Sequence, residues 1–492
     1  MSDQESQARR ERLEKLRAAG VEPFPARTGA HVRVRELRAA HDAKSFEQLD
    51  AEKPAAAIVG RVRAARSFGK LVFATLGDDG DPLQVSARRG ITPDDAFALV
   101  KELDVGDFVR VEGVVWRTQK GELTLDARAV QVLAKALRPM PEKWHGLVDV
   151  EARYRQRYLD LLSNPRAREI ALLRSKTISA LRRTLDARGF LEVETPVLQP
   201  LYGGAAARPF STHHEKFDQR LYLRISDELY LKRLIIGGLD RVYEIGHDFR
   251  NEGISHKHSP EFTMLECYQA YADYTDMMAL VQAMIVDAAQ AALGTLSVPH
   301  AGATIELGGA WRRITMADAI RAASGIDILA ETDLAKLRAA AARAGIPRSD
   351  APTWALLVDE IFSAKVEPAL IQPTFITHHP AELSPLAKRA PEDPRLVERF
   401  ELFMAGFELA NAFSELNDPD DQRARFEESR KDAAAGDAEA HPLDEDFLIA
   451  LEHGMPPTGG LGVGVDRLVR VLADAPNLRE VILFPHLRPE GA

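Results

Sequence analysis

Hydrophobic and polar residues alternate most clearly along Arg241–Tyr271, RVYEIGHDFR NEGISHKHSP EFTMLECYQA Y. Two runs rich in β-branched and aromatic residues flank a polar segment, a pattern that predicts a β-hairpin with its loop at about Asn251–Pro260. Residues on one face of the second strand are Phe262, Met264, Glu266 and Tyr268. This face carries a ring, a carboxylate and a phenol, although a solvated hairpin face would explain the same pattern. Cys267 points the other way, where packing is expected.

Short runs of strand character separated by turns extend from Ala56 to about Leu133, with one helix expected near Thr92–Glu102. About five such strands predict a Greek-key barrel of the OB type, which binds oligonucleotides, sugars or proteins. Basic, aromatic and amide side chains that could contact single-stranded bases are Arg61, Arg63, Arg66, Phe68, Phe73 and Gln84. Core packing is the alternative for Phe73.

Other patterns divide the chain. A helix is expected before Gly20, as a basic RNA-contacting arm or a solvated helix, and another from Asn164-Pro165 to Gly189. The predicted domains are a helical extension (1–55), the barrel (56–140), a hinge (141–165), and a large domain (166–492) with a mostly helical insertion at about 298–372. Within the large domain we expect a helix at Asp276–Leu293, a loop near Lys431–Glu445 and a last strand at VILFP.

Composition narrows the class of protein. A chain of 492 residues with 45% hydrophobic and 28% charged residues predicts two or three folded domains. Its single cysteine excludes an intrachain disulfide framework and fits a reducing compartment. The amino terminus is charged and no apolar run of spanning length is expected, so the prediction is a cytoplasmic protein without a membrane segment. A net charge of -10 leaves nucleic-acid binding open.

Nucleotide chemistry is suggested by arginines rather than by a phosphate loop. The chain has no Walker-type glycine run, and its GxGxG pattern near the carboxyl end lacks the following strand and acid of a dinucleotide fold. Phosphates would therefore be bound by arginine and metal, with Arg250 and Arg467 as the candidates. Each has a neighbouring acid, Glu252 or Asp466, so a structural ion pair is the alternative.

Three ordered segments carry a family resemblance. FRNEG at Phe249–Gly253 resembles motif 2 of the class II aminoacyl-tRNA synthetases, GLGVGVDRL at Gly460–Leu468 resembles motif 3, and GFLEVETPVL ending at Leu198 is similar to motif 1. A closer resemblance is to the subclass IIb lysyl-tRNA synthetases of bacteria, through the segments GGAAARPF, ELYLKRL, RNEGISHKHSPEFTMLE, SPLAKR, FSELNDPDDQ and GMPPTGGLG. The resemblance extends over nearly the whole chain.

This resemblance implies an α+β protein: an OB-fold anticodon-binding barrel followed by a six- to seven-stranded antiparallel catalytic sheet flanked by helices. It also implies a homodimer formed through motif 1 around Pro196. The implied reaction is ATP-dependent formation of lysyl-adenylate and transfer of lysine to tRNA(Lys). ATP is then a substrate and Mg²⁺ a cofactor.

Roles follow for individual residues. The resemblance implies Arg250 and Arg467 as catalytic residues at the phosphates. It implies ATP contacts from Arg250, Glu252, His258, Phe262, Glu408 and Arg467, and metal binding by Glu401 and Glu408. Lysine would be bound by Gly204, Glu228, Arg250, Glu266, Tyr268, Asn411 and Glu415. The anticodon would be contacted by Phe73, Gln84 and Glu122.

The acidic pocket has an independent physical rationale. A terminal ammonium needs anionic acceptors, whereas aspartate would need a cation and asparagine a neutral pair, so Glu266 and Glu415 select lysine. The alternatives are an aspartyl or asparaginyl enzyme of the same subclass and a non-catalytic tRNA-binding paralogue. Two segments depart from the family pattern: Ser226-Asp227 before Glu228, and Thr377-His378-His379.

Overall fold

The computed structural model describes residues 2–78, 81–140, 147–255, 257–434 and 442–490. The chain forms two compact units, Met1–Gly146 and Leu147–Ala492. This division falls within the segment predicted as a hinge, of which residues 141–146 lie outside the described part. The predicted domain limits stay predictions.

The first unit is a five-stranded barrel preceded by helices. Its helices are α1 (Ser2–Ala18), α2 (Val34–His41), α3 (Phe46–Glu52) and α4 (Asp94–Lys101), and its strands are β1 (Ala55–Ser67), β2 (Leu71–Asp78), β3 (Asp81–Arg88), β4 (Phe108–Arg117) and β5 (Leu123–Ala134). The barrel closes in the order β1-β2-β3-β5-β4. Alternating residues such as Ile58, Leu83 and Val111 fill its interior. The predicted barrel and the helix near Thr92–Glu102 are confirmed.

The second unit is a mostly antiparallel sheet surrounded by helices. Its helices are α5 (Val150–Arg155), α6 (Arg157–Ser163), α7 (Pro165–Asp186), α8 (Glu228–Ile236), α9 (Tyr274–Leu293), α10 (Met316–Ser324), α11 (Leu334–Arg343), α12 (Trp354–Lys365), α13 (Pro419–Ala434), α14 (Glu445–Glu452), α15 (Val465–Leu472) and α16 (Leu478–Val481). Its strands are β6 (Leu191–Glu192), β7 (Leu198–Gln199), β8 (Ser211–His214), β9 (Gln219–Leu223), β10 (Arg241–Phe249), β11 (Glu261–Ala270), β12 (Ser297–His300), β13 (Ala303–Glu306), β14 (Arg312–Thr315), β15 (Thr374–Thr377), β16 (Arg399–Met404), β17 (Phe407–Ser414) and β18 (Thr458–Gly464).

The main sheet has eight strands in the order β14-β15-β16-β17-β18-β11-β10-β6, which corrects the expected six to seven. Its two outermost pairs are parallel: β14 beside β15, and β6 beside β10. In each pair a long connection joins the two strands, as parallel neighbours require. Helices α10 to α12 form the connection between β14 and β15. The six inner strands are antiparallel.

The predicted hairpin is formed by β10 and β11, which pair from Arg241 with Gln269 to Phe249 with Glu261. Leu265 and Cys267 project into the core that α7 and α9 cover. The other face of β11, which carries Glu266, is free of this core and forms the wall of a cavity. The predicted alternation and the buried role of Cys267 are confirmed.

Helix α9 confirms the helix expected at Asp276–Leu293. It is the one described helix long and apolar enough to cross a membrane by length and composition, whereas no apolar run of spanning length was expected. Its apolar residues, such as Met277, Val281 and Ile285, belong instead to the main core of the second unit. Its amino terminus is capped by Asp273, whose side chain accepts from the backbone of Thr275 and Asp276.

One other expectation was wrong, and two were met only in part of their range. The VILFP segment is not a strand, because the helical turn α16 ends at Val481 and leaves Phe484 71% exposed with no neighbouring strand. The segment from 298 begins with strands β12 to β14, and its helices start only at Met316. The loop expected near Lys431–Glu445 is helical up to Ala434, while residues 435–441 lie outside the described part.

Candidate functional site

A cavity of about 380 Å³ opens on the face of β11, β17 and β18 that points away from the main core. Every residue that the sequence assigned to the large-domain site lines it: Gly204, Glu228, Arg250, Glu252, His258, Phe262, Glu266, Tyr268, Glu401, Glu408, Asn411, Glu415 and Arg467. The structure thus brings together side chains from distant parts of the sequence. The role of each residue stays a prediction.

The pairing of β11 with β18 gives the cavity a direction. Tyr268 is paired with Gly460 at one end, and Met264 is paired with Gly464 at the other. Carboxylates gather at the Tyr268 end, and Arg467 lies near Gly464. Since a strand rises about 3.4 Å per residue, the intervening residues separate the two ends by more than 10 Å.

Glu266 at the acidic end is buried and hydrogen-bonded through both oxygens. Ser226 Oγ donates to Oε1 at 2.8 Å, and the Tyr268 hydroxyl donates to Oε2 at 3.0 Å. Burial, followed by the charges of Asp248 and Glu228, raises the pKa of Glu266 to about 8. A bound cation would stabilise its ionised form.

Glu415 is buried at the same end. Its Oε1 has no hydrogen-bond partner among the described residues, whereas Oε2 is in direct contact with the ammonium of Lys232. Burial raises the pKa of Glu415 well above its usual value, partly offset by Lys232. A buried carboxylate oxygen without a donor is costly, so Glu415 Oε1 is an acceptor available to a ligand ammonium.

Gly460 makes room for that carboxylate. A Cβ on residue 460 would lie 1.8 Å from Glu415 Oε1 and 2.6 Å from Tyr268 Cε1. The GxGxG pattern therefore reflects close packing at the acidic end, which explains its poor match to a dinucleotide fold. Gly204 has a related role, because its φ is +87° and a Cβ there would lie 2.7 Å from Ser226 Oγ.

The opposite end is cationic. Arg250 follows β10, and its guanidinium lies 5.1 Å from the centroid of the Phe262 ring. His258 is held by Ser255, whose hydroxyl lies 3.2 Å from His258 Nδ1. Burial, followed by the charge of Arg467, lowers the pKa of His258, so its imidazole is neutral at pH 7. Such a site suits the binding of anionic phosphates.

Two carboxylates, Glu401 and Glu408, extend the cavity wall. Arg399 Nη2 donates to Glu401 Oε1 at 2.5 Å, and Arg467 Nη1 donates to Glu408 Oε2 at 3.0 Å. Burial raises the pKa of Glu401, but Arg399 and His379 lower it to about 2. Burial and the charge of Glu401 raise the pKa of Glu408, which shows that the two carboxylates repel each other.

The segments that depart from the family pattern adjoin the cavity. Asp227 is fully buried in a cluster where Arg224 pairs with Asp227 at 2.9 Å, Glu244 at 2.5 Å and Asp248 at 3.3 Å. His379 Nε2 lies 3.4 Å from Glu401 Oε2. Burial and Asp248 raise the pKa of Asp227 to about 10.

Sequence reasoning missed three cations of the site: Arg224 and Lys232, which are buried, and Arg399, which is half-buried. Arg399 had a detectable signal, because it lies two residues before Glu401 on the same strand and therefore on the same face. Lys232 had a partial signal, because it lies four residues after Glu228 on α8, but its second partner, Glu415, comes from a distant segment. Arg224 is close in sequence to Asp227 only, and its other partners come from a distant segment.

In the barrel unit, the predicted anticodon residues lie close in the sheet. Phe73 is on β2, Gln84 on β3 donates to Thr124 Oγ1 at 2.9 Å, and Glu122 directly precedes β5. Phe73 is half-buried rather than part of the barrel core. Arg61 is bound within the unit, because it donates to the Gly106 carbonyl at 3.1 Å and lies over the Phe108 ring.

Comparisons with known proteins agree with these two units. The family described as tRNA synthetases class II (D, K and N) matches residues 149–488, and the OB-fold nucleic acid binding domain matches residues 56–133. The lysine--tRNA ligase of Carboxydothermus hydrogenoformans is 50% identical over 98% of this chain and 97% of its own length. The enzymes of that name from Roseiflexus sp. and Bacillus subtilis are 52% and 49% identical, over 98% of this chain and 98% and 97% of their own lengths.

Proposed function

The chain belongs to the class II tRNA synthetase family (D, K and N), and we propose that it ligates lysine to tRNA(Lys) with ATP. In the first step the lysine carboxylate attacks the α-phosphorus of ATP, which gives lysyl-adenylate and releases pyrophosphate. In the second step the 3'-hydroxyl of the terminal tRNA adenosine attacks the adenylate carbonyl, and AMP leaves. Neither step needs a side-chain nucleophile.

The polarity of the cavity carries this proposal. Three carboxylates, Glu228, Glu266 and Glu415, lie at one end, and Arg250 and Arg467 lie towards the other. Lysine matches this distribution of charge, because it carries an α-ammonium and an ε-ammonium for the carboxylates. Its own carboxylate would lie beside the phosphates at the arginine end. Aspartate would bring an anion to the acidic end, and asparagine would leave two buried carboxylates without a cation.

Each lysine contact has a defined place in the proposal. Glu228, with Gly204 beside it, receives the α-ammonium, and Asn411 lies along the path. Glu266, Tyr268 and Glu415 receive the ε-ammonium. Asn411 is oriented by Arg399, whose Nε donates to Asn411 Oδ1 at 3.0 Å. Glu415 supports this assignment most directly, because its Oε1 has no hydrogen-bond partner among the described residues.

Catalysis would rest on positioning and charge stabilisation. Arg250 neutralises the lysine carboxylate and the α-phosphate as they approach, and Arg467 binds the nucleotide from the β18 side. Phe262 stacks on the adenine, while Glu252 and neutral His258 contact the nucleotide. The proximity of the Arg250 guanidinium to the Phe262 ring, 5.1 Å from its centroid, supports neighbouring contacts to phosphate and base.

Glu401 and Glu408 are the proposed Mg²⁺ ligands. Their mutual repulsion is what a divalent cation would relieve, and carboxylate oxygens are its preferred donors. In the described part of the chain no group of three or more potential ligand side chains could bind a metal unaided. Phosphate oxygens would complete the coordination. When bound, Mg²⁺ supplies neutralisation of phosphate charge.

Outside the cavity, we propose anticodon contacts from Phe73, Gln84 and Glu122, and a cytoplasmic homodimer formed around Pro196. Large apolar side chains near Pro196 support the dimer: Leu191, Val197 and Leu198 are each at least 41% exposed. Exposed apolar residues that cluster in this way are typical of an interface. Sedimentation of the full chain tests the proposed homodimer.

The decisive experiment is ATP–pyrophosphate exchange with lysine, aspartate or asparagine as the amino acid. Exchange that depends on lysine alone is expected. Exchange with aspartate or asparagine would assign the chain to another activity of the same family. The absence of exchange with all three would support a non-catalytic tRNA-binding role instead.

A further inference from the structure

Lys232 is a buried cation that sequence reasoning did not assign to the site. It lies four residues after Glu228 on α8, so both side chains share one face of that helix. Its Nζ donates to Glu228 Oε1 at 2.5 Å and also forms an ion pair with Glu415. One ammonium therefore joins two carboxylates that come from α8 and from the segment after β17.

The surroundings of Lys232 keep it charged. Its side chain is completely buried, and Nζ lies 5.6 Å from the centroid of the Phe413 ring and 5.8 Å from that of Phe447. Burial lowers the pKa of Lys232, but Glu228 and Glu415 outweigh this effect and raise the pKa above its usual value. Cation–π contacts with two rings add a further preference for the ammonium form.

Both carboxylates line the cavity, whereas the ammonium that joins them is inaccessible to solvent. Three carboxylates, Glu228, Glu266 and Glu415, contribute three negative charges to the acidic end when ionised. Lys232 neutralises one of them. The two charges that remain equal the two ammonium groups of a bound lysine, whose carboxylate is directed to Arg250.

We infer that Lys232 is a positioning and charge-balancing residue of the amino-acid site, an inference that rests on the proposed function. It orients Glu228 and Glu415 and sets the acidic end to receive two ammonium groups. An amino acid with only one ammonium leaves a buried carboxylate unpaired. Lys232 therefore contributes to selection of a diamino acid without contacting the substrate.

Substitution Lys232→Met tests the inference, because methionine keeps an unbranched apolar side chain and removes the charge. In ATP–pyrophosphate exchange we expect KM for lysine to rise roughly tenfold or more, as expected when one member of a buried charge pair is removed. KM for ATP should stay within about twofold, because the nucleotide end does not contact Lys232. The matched control is Lys336→Met on α11, where the lysine is exposed and both constants should stay unchanged.

An unchanged KM for lysine would overturn the inference. Equal rises in both KM values, accompanied by a lower melting temperature, would show a structural ion pair instead. Wild-type protein is assayed in parallel with lysine, aspartate and asparagine. A wild type without lysine-dependent exchange would refute the proposed function itself, which is a separate result.

If Lys232→Met does not fold, the inference is tested by comparing KM for lysine in the single variant Glu415→Gln and in the double variant Glu415→Gln/Lys232→Met. The amide at 415 no longer needs a counter-ion, so the double variant avoids the buried unpaired charge at that position. Glu228 still needs its counter-ion in this background, so we expect the second substitution to raise KM for lysine further, by roughly threefold or more, while KM for ATP stays within about twofold. A further rise that equals the rise in KM for ATP would overturn the inference, as would failure of the double variant to fold.

Discussion

Glu415 Oε1 occupies the position where a side chain on residue 460 would begin, 1.8 Å from an ideal Cβ. The absence of a side chain at Gly460 thus makes the room that the Glu415 carboxylate occupies at the acidic end. We expect Gly460→Ala to displace Glu415 and to raise KM for lysine in pyrophosphate exchange by roughly tenfold or more.

Gly308→Ala is the matched control, because its Cβ would meet only Leu296 Cδ1 at an ordinary 4.0 Å. Exchange kinetics for lysine and for ATP check both variants. An unaltered KM for lysine in Gly460→Ala would contradict the packing described for Glu415.

Lysine affinity should depend on pH through Glu266. Its pKa is about 8 without ligand, so the carboxyl is mostly protonated at pH 7, whereas the bound ammonium requires the ionised form. Binding then releases a proton, and Kd for lysine should fall by up to about tenfold per pH unit as pH rises from 6 towards 8. Calorimetry at pH 7 in two buffers of different ionisation enthalpy measures this release.

Glu266→Gln supplies the control for that measurement. The amide cannot titrate, so the pH dependence of Kd between pH 6 and 8 should flatten while overall affinity weakens. A slope that persists in the variant would assign the proton to another group.

Stability without ligand should fall at alkaline pH. Asp227, Asp248 and Glu266 have folded-state pKa values of about 10, 6 and 8, all above those of exposed carboxyls. A raised pKa of this kind stabilises the fold fully below the unfolded value of about 4 and loses that contribution as pH rises through the folded value. The melting temperature should therefore fall between pH 6 and pH 9, and saturating lysine should reduce the fall. A melting temperature that increases over this range would contradict the assignment.

Arg250→Ala should reduce lysine-dependent pyrophosphate exchange by roughly 100-fold or more, the scale for loss of one preorganised charge stabiliser. Exchange falls because the α-phosphate and the lysine carboxylate both lose the guanidinium that neutralises them. Circular dichroism and thermal melting establish that the variant is folded. Near-normal exchange would refute the catalytic assignment of Arg250.

The metal assignment is tested by Glu408→Gln. Loss of one anionic oxygen should increase the Mg²⁺ concentration needed for half-maximal exchange by roughly tenfold, since carboxylates are the preferred ligands. The control is Glu306→Gln on exposed β13, which should leave the Mg²⁺ dependence unchanged. A Glu408→Gln variant with normal Mg²⁺ dependence but weaker ATP binding would assign Glu408 to orientation of Arg467 instead.

Much of the architecture was accessible from the sequence because local signals were strong. The hairpin around β10 and β11 followed from alternation, and the barrel followed from short strands with turns between them. The edge strand β14 could not be predicted, because four residues RRIT have little pattern and their pairing depends on β15, which follows about sixty residues later.

The site could be predicted from the sequence only in part. Family motifs identified the residues that line the cavity. The buried counter-ions Arg224 and Lys232 were not found, because each also pairs with a carboxylate from another segment, which the sequence does not reveal. Helix periodicity shows that Lys232 shares a face with Glu228. It does not show that Glu415 completes the group, which depends on tertiary packing.

The strand β11 has a consequence for how such proteins diversify. Its residue 262 lies at the nucleotide end and its residues 266 and 268 at the acidic end, on one rigid and centrally paired element. Substitutions at the acidic end can therefore change which amino acid is preferred, while the residues that bind the nucleotide keep their positions. An insertion within the strand would shift both ends at once, so a change in the length of β11 would disturb nucleotide and amino-acid binding together, whereas a substitution at one end would not.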